Sequence, residues 1–148
     1  MKKLLIVLIL FGSIHAMAQE APKKAWKIIV KNDLPAAENF TLVGRTLADN
    51  DYIIELKDKE FLTIKTGTRD LVKVYGRYFL TFSVRDKSIS VTGQTNADVS
   101  HSISRSKSES NFELISNCGA KFSYMGIAFL KMNDFALKLG RTVEYVTE

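Results

Sequence analysis

The sequence is poor in the residues that build covalent frameworks and metal centres. Cys118 is the only cysteine in 148 residues, so no disulfide forms within the chain. His15 and His101 are the only histidines. A zinc site needs three or four ligands from cysteine, histidine and carboxylate, and one thiol with distant histidines does not supply them. No metal and no cofactor are therefore expected. The glycines are scattered: Gly67, Gly76 and Gly93 stand alone and read as turns or strand ends, which excludes a phosphate-cradling loop. No serine lies in a Gly-x-Ser-x-Gly elbow, which removes the usual signature of a serine hydrolase. Acidic pairs such as Asp49 and Asp51 fall in expected turns, and nothing singles out a glycosidase pair.

Long apolar runs are also missing, with one short exception. Leu4 to Phe11 is unbroken, preceded by Lys2 and Lys3 and followed by Ala16-Met17-Ala18. A basic start, a short apolar run and a small-x-small ending are the three parts of an export signal. A membrane-spanning helix needs roughly 20 apolar residues, and Gly12, Ser13 and His15 interrupt the run well before that. Residues 1–18 are thus expected to be a signal peptide cleaved after Ala18, leaving 19–148 as one domain without stable membrane insertion. The protein is expected in the periplasm or outside the cell. Without Lys2 and Lys3, 21 basic residues become 19 against 16 acidic ones, a net charge of +3. Basic residues are interleaved with acidic ones instead of gathering on one stripe, so nucleic acid is not the expected partner. A lone thiol in an exported chain is expected to be buried.

The mature chain opens with alternation. Trp26, Ile28 and Val30 share one side and Lys27 and Lys31 the other, the period of a half-buried strand. A helix follows, with Pro35 in its first turn, Glu38 near its positive end and Phe40, Val43 and Leu47 as its apolar stripe; Asp49-Asn50-Asp51 ends it. Two hairpins come next. A three-residue turn at Asp58-Lys59-Glu60 sets Leu56 opposite Leu62 and Ile54 opposite Ile64. A two-residue turn at Asp86-Lys87 sets Val84 opposite Ile89 and Phe82 opposite Val91, while Ser83 meets Ser90 and Thr81 meets Thr92. A strand from Leu71 to Tyr75 is expected to lead into this second hairpin.

Serine then occupies every even position from Ser100 to Ser110. The segment 99–110 reads as a polar loop, and its alternation also fits a solvated edge strand. Phe112 to Ile115 suggests a short strand. From Lys121 to Leu139 the spacing of Phe122, Met125, Phe129, Met132, Ala136 and Leu139 predicts a helix, with Gly140 as a positive-φ stop. Thr142 to Thr147 suggests a last strand. The class is α+β: an antiparallel sheet with one N-terminal and one C-terminal helix packed on the same face.

Ala25-Trp26-Lys27-Ile28-Ile29-Val30, Glu38-Asn39-Phe40, Asp58-Lys59-Glu60-Phe61 and the late amphipathic helix together carry a resemblance. The chain resembles short exported bacterial envelope proteins of unknown function with a TATA-binding-protein-like fold. The likeness covers most of Ala25 to Gly93. It implies that fold and an envelope location, and brings no catalytic residue, cofactor or ligand. The fold's name describes shape and carries no implication of DNA binding.

One surface combines basic and aromatic groups. Lys73, Tyr75, Arg77, Phe79, Thr81 and Arg85 are expected on the polar face of the second hairpin and the strand before it, with Ser83 and Thr92. Arginine and aromatic side chains on an open face are what interaction surfaces are enriched in. Two functions follow. One is a non-enzymatic envelope module that binds a glycan, peptide or neighbouring protein across that face. The other is a small exported hydrolase assembled from Cys118, His101, scattered serines or carboxylates.

Overall fold

The structure is a computed structural model that describes residues 20–72, 74–97 and 111–148. The expected export signal, Lys73 and the serine-rich segment with His101 lie outside the described residues.

The chain runs β1 (Ala25–Lys31), α1 (Ala36–Asp49), β2 (Ile54–Asp58), β3 (Thr63–Thr66), β4 (Arg69–Asp70), β5 (Gly76–Arg85), β6 (Ser88–Ala97), β7 (Glu113–Leu114), α2 (Tyr124–Leu139) and β8 (Thr142–Thr147). Its strands form one antiparallel sheet in the order β2-β3-β5-β6-β1-β8, with β4 added to β5 and β7 to β6. The centre is the β5–β6 hairpin. Its register follows the expected pairs, with Val84 opposite Ile89, Phe82 opposite Val91 and Thr81 opposite Thr92. Period-two patterning settles this pairing, because a slip by one residue would send every apolar side chain to the wrong face.

Both helices cover the same side of the sheet. Tyr78, Leu80, Phe82 and Val84 of β5, Ile89 and Val91 of β6, Ile28 and Val30 of β1 and Ile64 of β3 are buried there. They form one cluster with Phe40, Val43 and Leu47 of α1 and Phe129, Met132, Phe135, Ala136 and Leu139 of α2. Phe135 joins the layers, its ring 5.2 Å from those of Phe82 and Tyr52. Each fully buried side chain of this size contributes about 1.5–3 kcal/mol. This α+β architecture is the class that the patterning predicts.

Several local expectations are corrected. The β2–β3 connection takes four residues, because the Asp58 carboxylate accepts from the amides of Glu60 and Phe61 and Leu62 adopts φ +50. Pairing therefore shifts to Lys57 opposite Ile64 and Asp58 opposite Thr63. The shift is odd, so Leu56 turns to the outer face and is half exposed, while Lys57 takes the helix side, exposed, with its Nζ 5.4 Å from the Phe40 ring centroid. In β1 a bulge between Ala25 and Lys27 puts Ala25 in the core where Trp26 was expected. Leu71, Val72, Val74 and Tyr75, expected in a strand, lie outside any strand, and the Val74 amide donates back to the Leu71 carbonyl. The Leu71 amide donates to the Gly76 carbonyl, and Asp70 faces Arg77.

Helix α2 begins three residues later than expected, because Ser123 caps it by accepting from the Gly126 amide. Phe122 consequently lies before the helix and is exposed. Gly140 has φ 175, which is extended backbone, so its expected left-handed stop is absent. Its requirement is space: a Cβ there would stand 2.8 Å from Val30 Cγ1.

Buried polar groups tie the first helix to the central hairpin. Asn39 is fully buried and donates to Asn32 Oδ1 and to the carbonyls of Leu34 and Arg85, while accepting from Asn32 Nδ2. Asp86, in the β5–β6 turn, accepts from the Ala36 amide at 2.8 Å and so supplies the cap that Pro35 lacks.

Candidate functional site

With both helices on one side, the other side of the sheet carries no helix among the described residues. Alternation along β5 sends Arg77, Phe79, Thr81, Ser83 and Arg85 to this outer face. Registers extend it into rows. Thr63, Ser83, Ser90, Ile29 and Glu144 follow one another across β3, β5, β6, β1 and β8. Lys65, Thr81 and Thr92 make a second row, and Arg85, Ser88, Lys31 and Thr142 a third. The middle of the face is thus small hydroxyls, with charge at its margins.

Four of the six expected binding residues lie on this face: Arg77, Phe79, Thr81 and Arg85. Tyr75 is 71% exposed but sits in the turn beyond the strand end, away from the rows. Lys73 lies outside the described residues. Arg77 and Arg85 are eight residues apart on one strand, about 26 Å at the usual rise, so they mark the ends of an extended surface and do not converge. Asp70 is the cross-strand neighbour of Arg77, yet neither arginine forms an ion pair within 4.0 Å among the described residues, whose ion pairs are Lys31 with Glu144 at 3.3 Å and Lys65 with Glu55 at 3.0 Å. Phe79 is half-buried. Phe112 stands 5.2 Å from its ring at a 56° tilt, and Lys65 Nζ lies 4.5 Å from its centroid, so it is a braced apolar patch and not a bare stacking platform.

Among the described residues, reactive groups are not gathered into a catalytic cluster. Cys118 is exposed, contrary to its expected burial, because the turn before α2 holds it at the surface. Its sulfur lies 3.4 Å from Ser123 Oγ and 3.9 Å from the Ala120 carbonyl. No histidine is among the described residues, nor is any group of three or more His, Cys, Asp or Glu that could hold a metal ion. No helix of the described residues is long and apolar enough to cross a membrane. Three tyrosines are shifted upward. Burial, then the hydrogen bond to Tyr52, holds Tyr78 protonated far above its usual range. Tyr124 is raised by its hydrogen bond to Glu113, and Tyr145 by burial. Each hydroxyl is engaged with one neighbour: Tyr78 with Tyr52, Tyr124 with Glu113 and Tyr145 with Asn133.

A concavity on another surface escaped the sequence. A groove of about 1290 Å³ runs between α2, β8 and the lead before β1, lined among others by Phe129, Leu130, Leu137, Val143 and Tyr145, with Lys23, Lys121 and Arg141 at its rim. Leu130 and Leu137 stand seven residues apart, off the main stripe of α2, and a search for the core face alone passes over them. A scan against protein-family models finds none that matches this chain, and a search of curated proteins finds no match.

Proposed function

We propose that the protein is an exported, non-enzymatic module that binds an extended partner bearing anionic groups, whether glycan, peptide or neighbouring envelope protein, across the outer face of its sheet. The export signal read in residues 1–18 and the resemblance to envelope proteins support the location. The observation that carries the binding role is the outer face, which no helix of the described residues covers, with Arg77 and Arg85 at either end of the hydroxyl rows and in no ion pair among the described residues. A flat face without a deep pocket suits a polymer over a small molecule, since small ligands need concave sites that bury most of their surface. Guanidinium groups offer bidentate donors to carboxylate, sulfate or phosphate, and the hydroxyls between them offer donors and acceptors to a polar chain.

The test is retention of the purified protein on immobilised polyglutamate, polygalacturonate and isolated envelope polymers, alongside an Arg77→Ala/Arg85→Ala form. Both side chains are exposed and leave the core untouched. At least tenfold weaker binding by the double variant is expected. Equal binding by the two forms, or binding by neither, removes the outer face as the site.

A further inference from the structure

The two edges of the sheet are guarded differently. The β2 edge carries Glu55, Lys57 and Asp58 within five residues and a register irregularity between Ile54 and Leu56, which are devices that discourage further pairing. The β8 edge, Thr-Val-Glu-Tyr-Val-Thr, has neither. Its one charge, Glu144, is engaged by Lys31 on the β1 side, and the bulge in this pair lies in β1, so β8 itself stays regular. Among the described residues β8 pairs with β1 alone. One row of its backbone N–H and C=O groups is left without a strand partner.

That edge opens on the apolar groove. A strand added to β8 would place alternate side chains on the helix side of the sheet, where Val143 and Tyr145 of β8 and Leu130 and Leu137 of α2 line the groove. Leu130 and Leu137 are 42% and 43% exposed, so the groove presents two leucines of one helix face to solvent. They lie about 10 Å apart along the helix, a distance that two or three alternating strand side chains span. The ends of the groove are cationic. Arg141 stands where α2 passes into β8, and Lys23 and Lys121 stand at the opposite end; none has an acidic partner among the described residues, and Glu20 is the single acidic residue in the lining.

The geometry points to a peptide-binding site that works by strand addition: an extended segment of a partner protein, aliphatic at alternate positions and acidic at its ends, pairs with β8 and sets its side chains in the groove along α2. Main-chain hydrogen bonds to the edge give affinity, and the groove and its cations give selectivity. A volume of about 1290 Å³ holds several side chains at once. This site lies on a different surface from the outer-face arginines and does not depend on them.

The test is selection from a phage library of random ten-residue peptides on the protein expressed from its full coding sequence. The expected peptides alternate aliphatic residues and carry Asp or Glu near their ends. A synthetic member is expected to slow amide exchange in 142–147, to bind at least tenfold more weakly to Arg141→Glu and to Leu130→Asp/Leu137→Asp, and to bind Arg77→Ala/Arg85→Ala unchanged. No enriched class, or peptides that protect other strands while ignoring Arg141→Glu, overturns the proposal. So does a concentration-dependent dimer that protects the β8 amides without peptide, which assigns the edge to a second copy of this chain.

Discussion

Asn39, Tyr78 and Cys118 show three ways in which a residue's role depends on what the fold brings to it. Asn39 sits among the apolar positions of α1 and looks like a polar interruption, yet it is buried with every side-chain group engaged. Tyr78 points inward from β5, where its hydroxyl meets that of Tyr52 at 2.9 Å, and the Arg69 guanidinium stacks 4.2 Å from the Tyr52 ring. Burial raises the pKa of Tyr78 in the folded state above its ordinary value of 10.0, so this group stabilises the fold fully below pH 10. Above that, the unfolded chain releases a proton that the folded chain keeps, and stability falls by about 1.4 kcal/mol per pH unit from this residue. Chemical denaturation at pH 9 and pH 11 measures the decline. Tyr78→Phe is expected to lessen it by that amount, and an unchanged slope would assign the decline elsewhere. Cys118 runs the other way, exposed where its scarcity suggested burial.

Among the elements, the β5–β6 hairpin and the two helices were legible and the β2–β3 hairpin was not. Ten consecutive cross-strand pairs make the central hairpin's pattern over-determined, so one register satisfies it. The β2–β3 pair is shorter, and its outer partner is an edge strand. Its register is decided by the Asp58 side chain binding two turn amides, a local bond that the apolar pattern does not encode. The same kind of bond acts at longer range in α1. Asp86 caps that helix from 50 residues away. Asp86→Ala is expected to lower stability by about 1 kcal/mol, or roughly 4 °C in Tm, with Asp86→Asn retaining most of it. Thermal unfolding by circular dichroism reads both. An Asp86→Ala form as stable as the parent would show that the cap contributes nothing.

For the whole molecule, the sheet order places β5 and β6 at the centre and β2 and β8 at the edges, with both helices centred on the middle strands. Amide exchange is therefore expected to be slowest in the inward half of β5, β6 and β1 and fastest in β2 and the outward-facing amides of β8. Protection of β8 equal to that of β6 in dilute protein would contradict an open edge. The candidate surfaces differ in how far they could be read. The outer face follows from alternation, so Arg77, Phe79, Thr81 and Arg85 were found from the sequence. Their separation along the strand was implicit in the same period. The groove was not legible, because it lies between elements far apart in the chain.

The sequence by itself determined the faces: which side chains of β5, β6, α1 and α2 turn inward, and hence the α+β class and one open sheet face. Those are consequences of periods of 2 and 3.6, which act between near neighbours. Only the tertiary structure decided the order of strands. Pairing β1 with both β6 and β8 makes β8 an edge and sets it beside Leu130 and Leu137, while the turn before α2 leaves Cys118 at the surface. Those placements depend on contacts between distant segments, and a composition or a spacing does not record which segment a strand will meet.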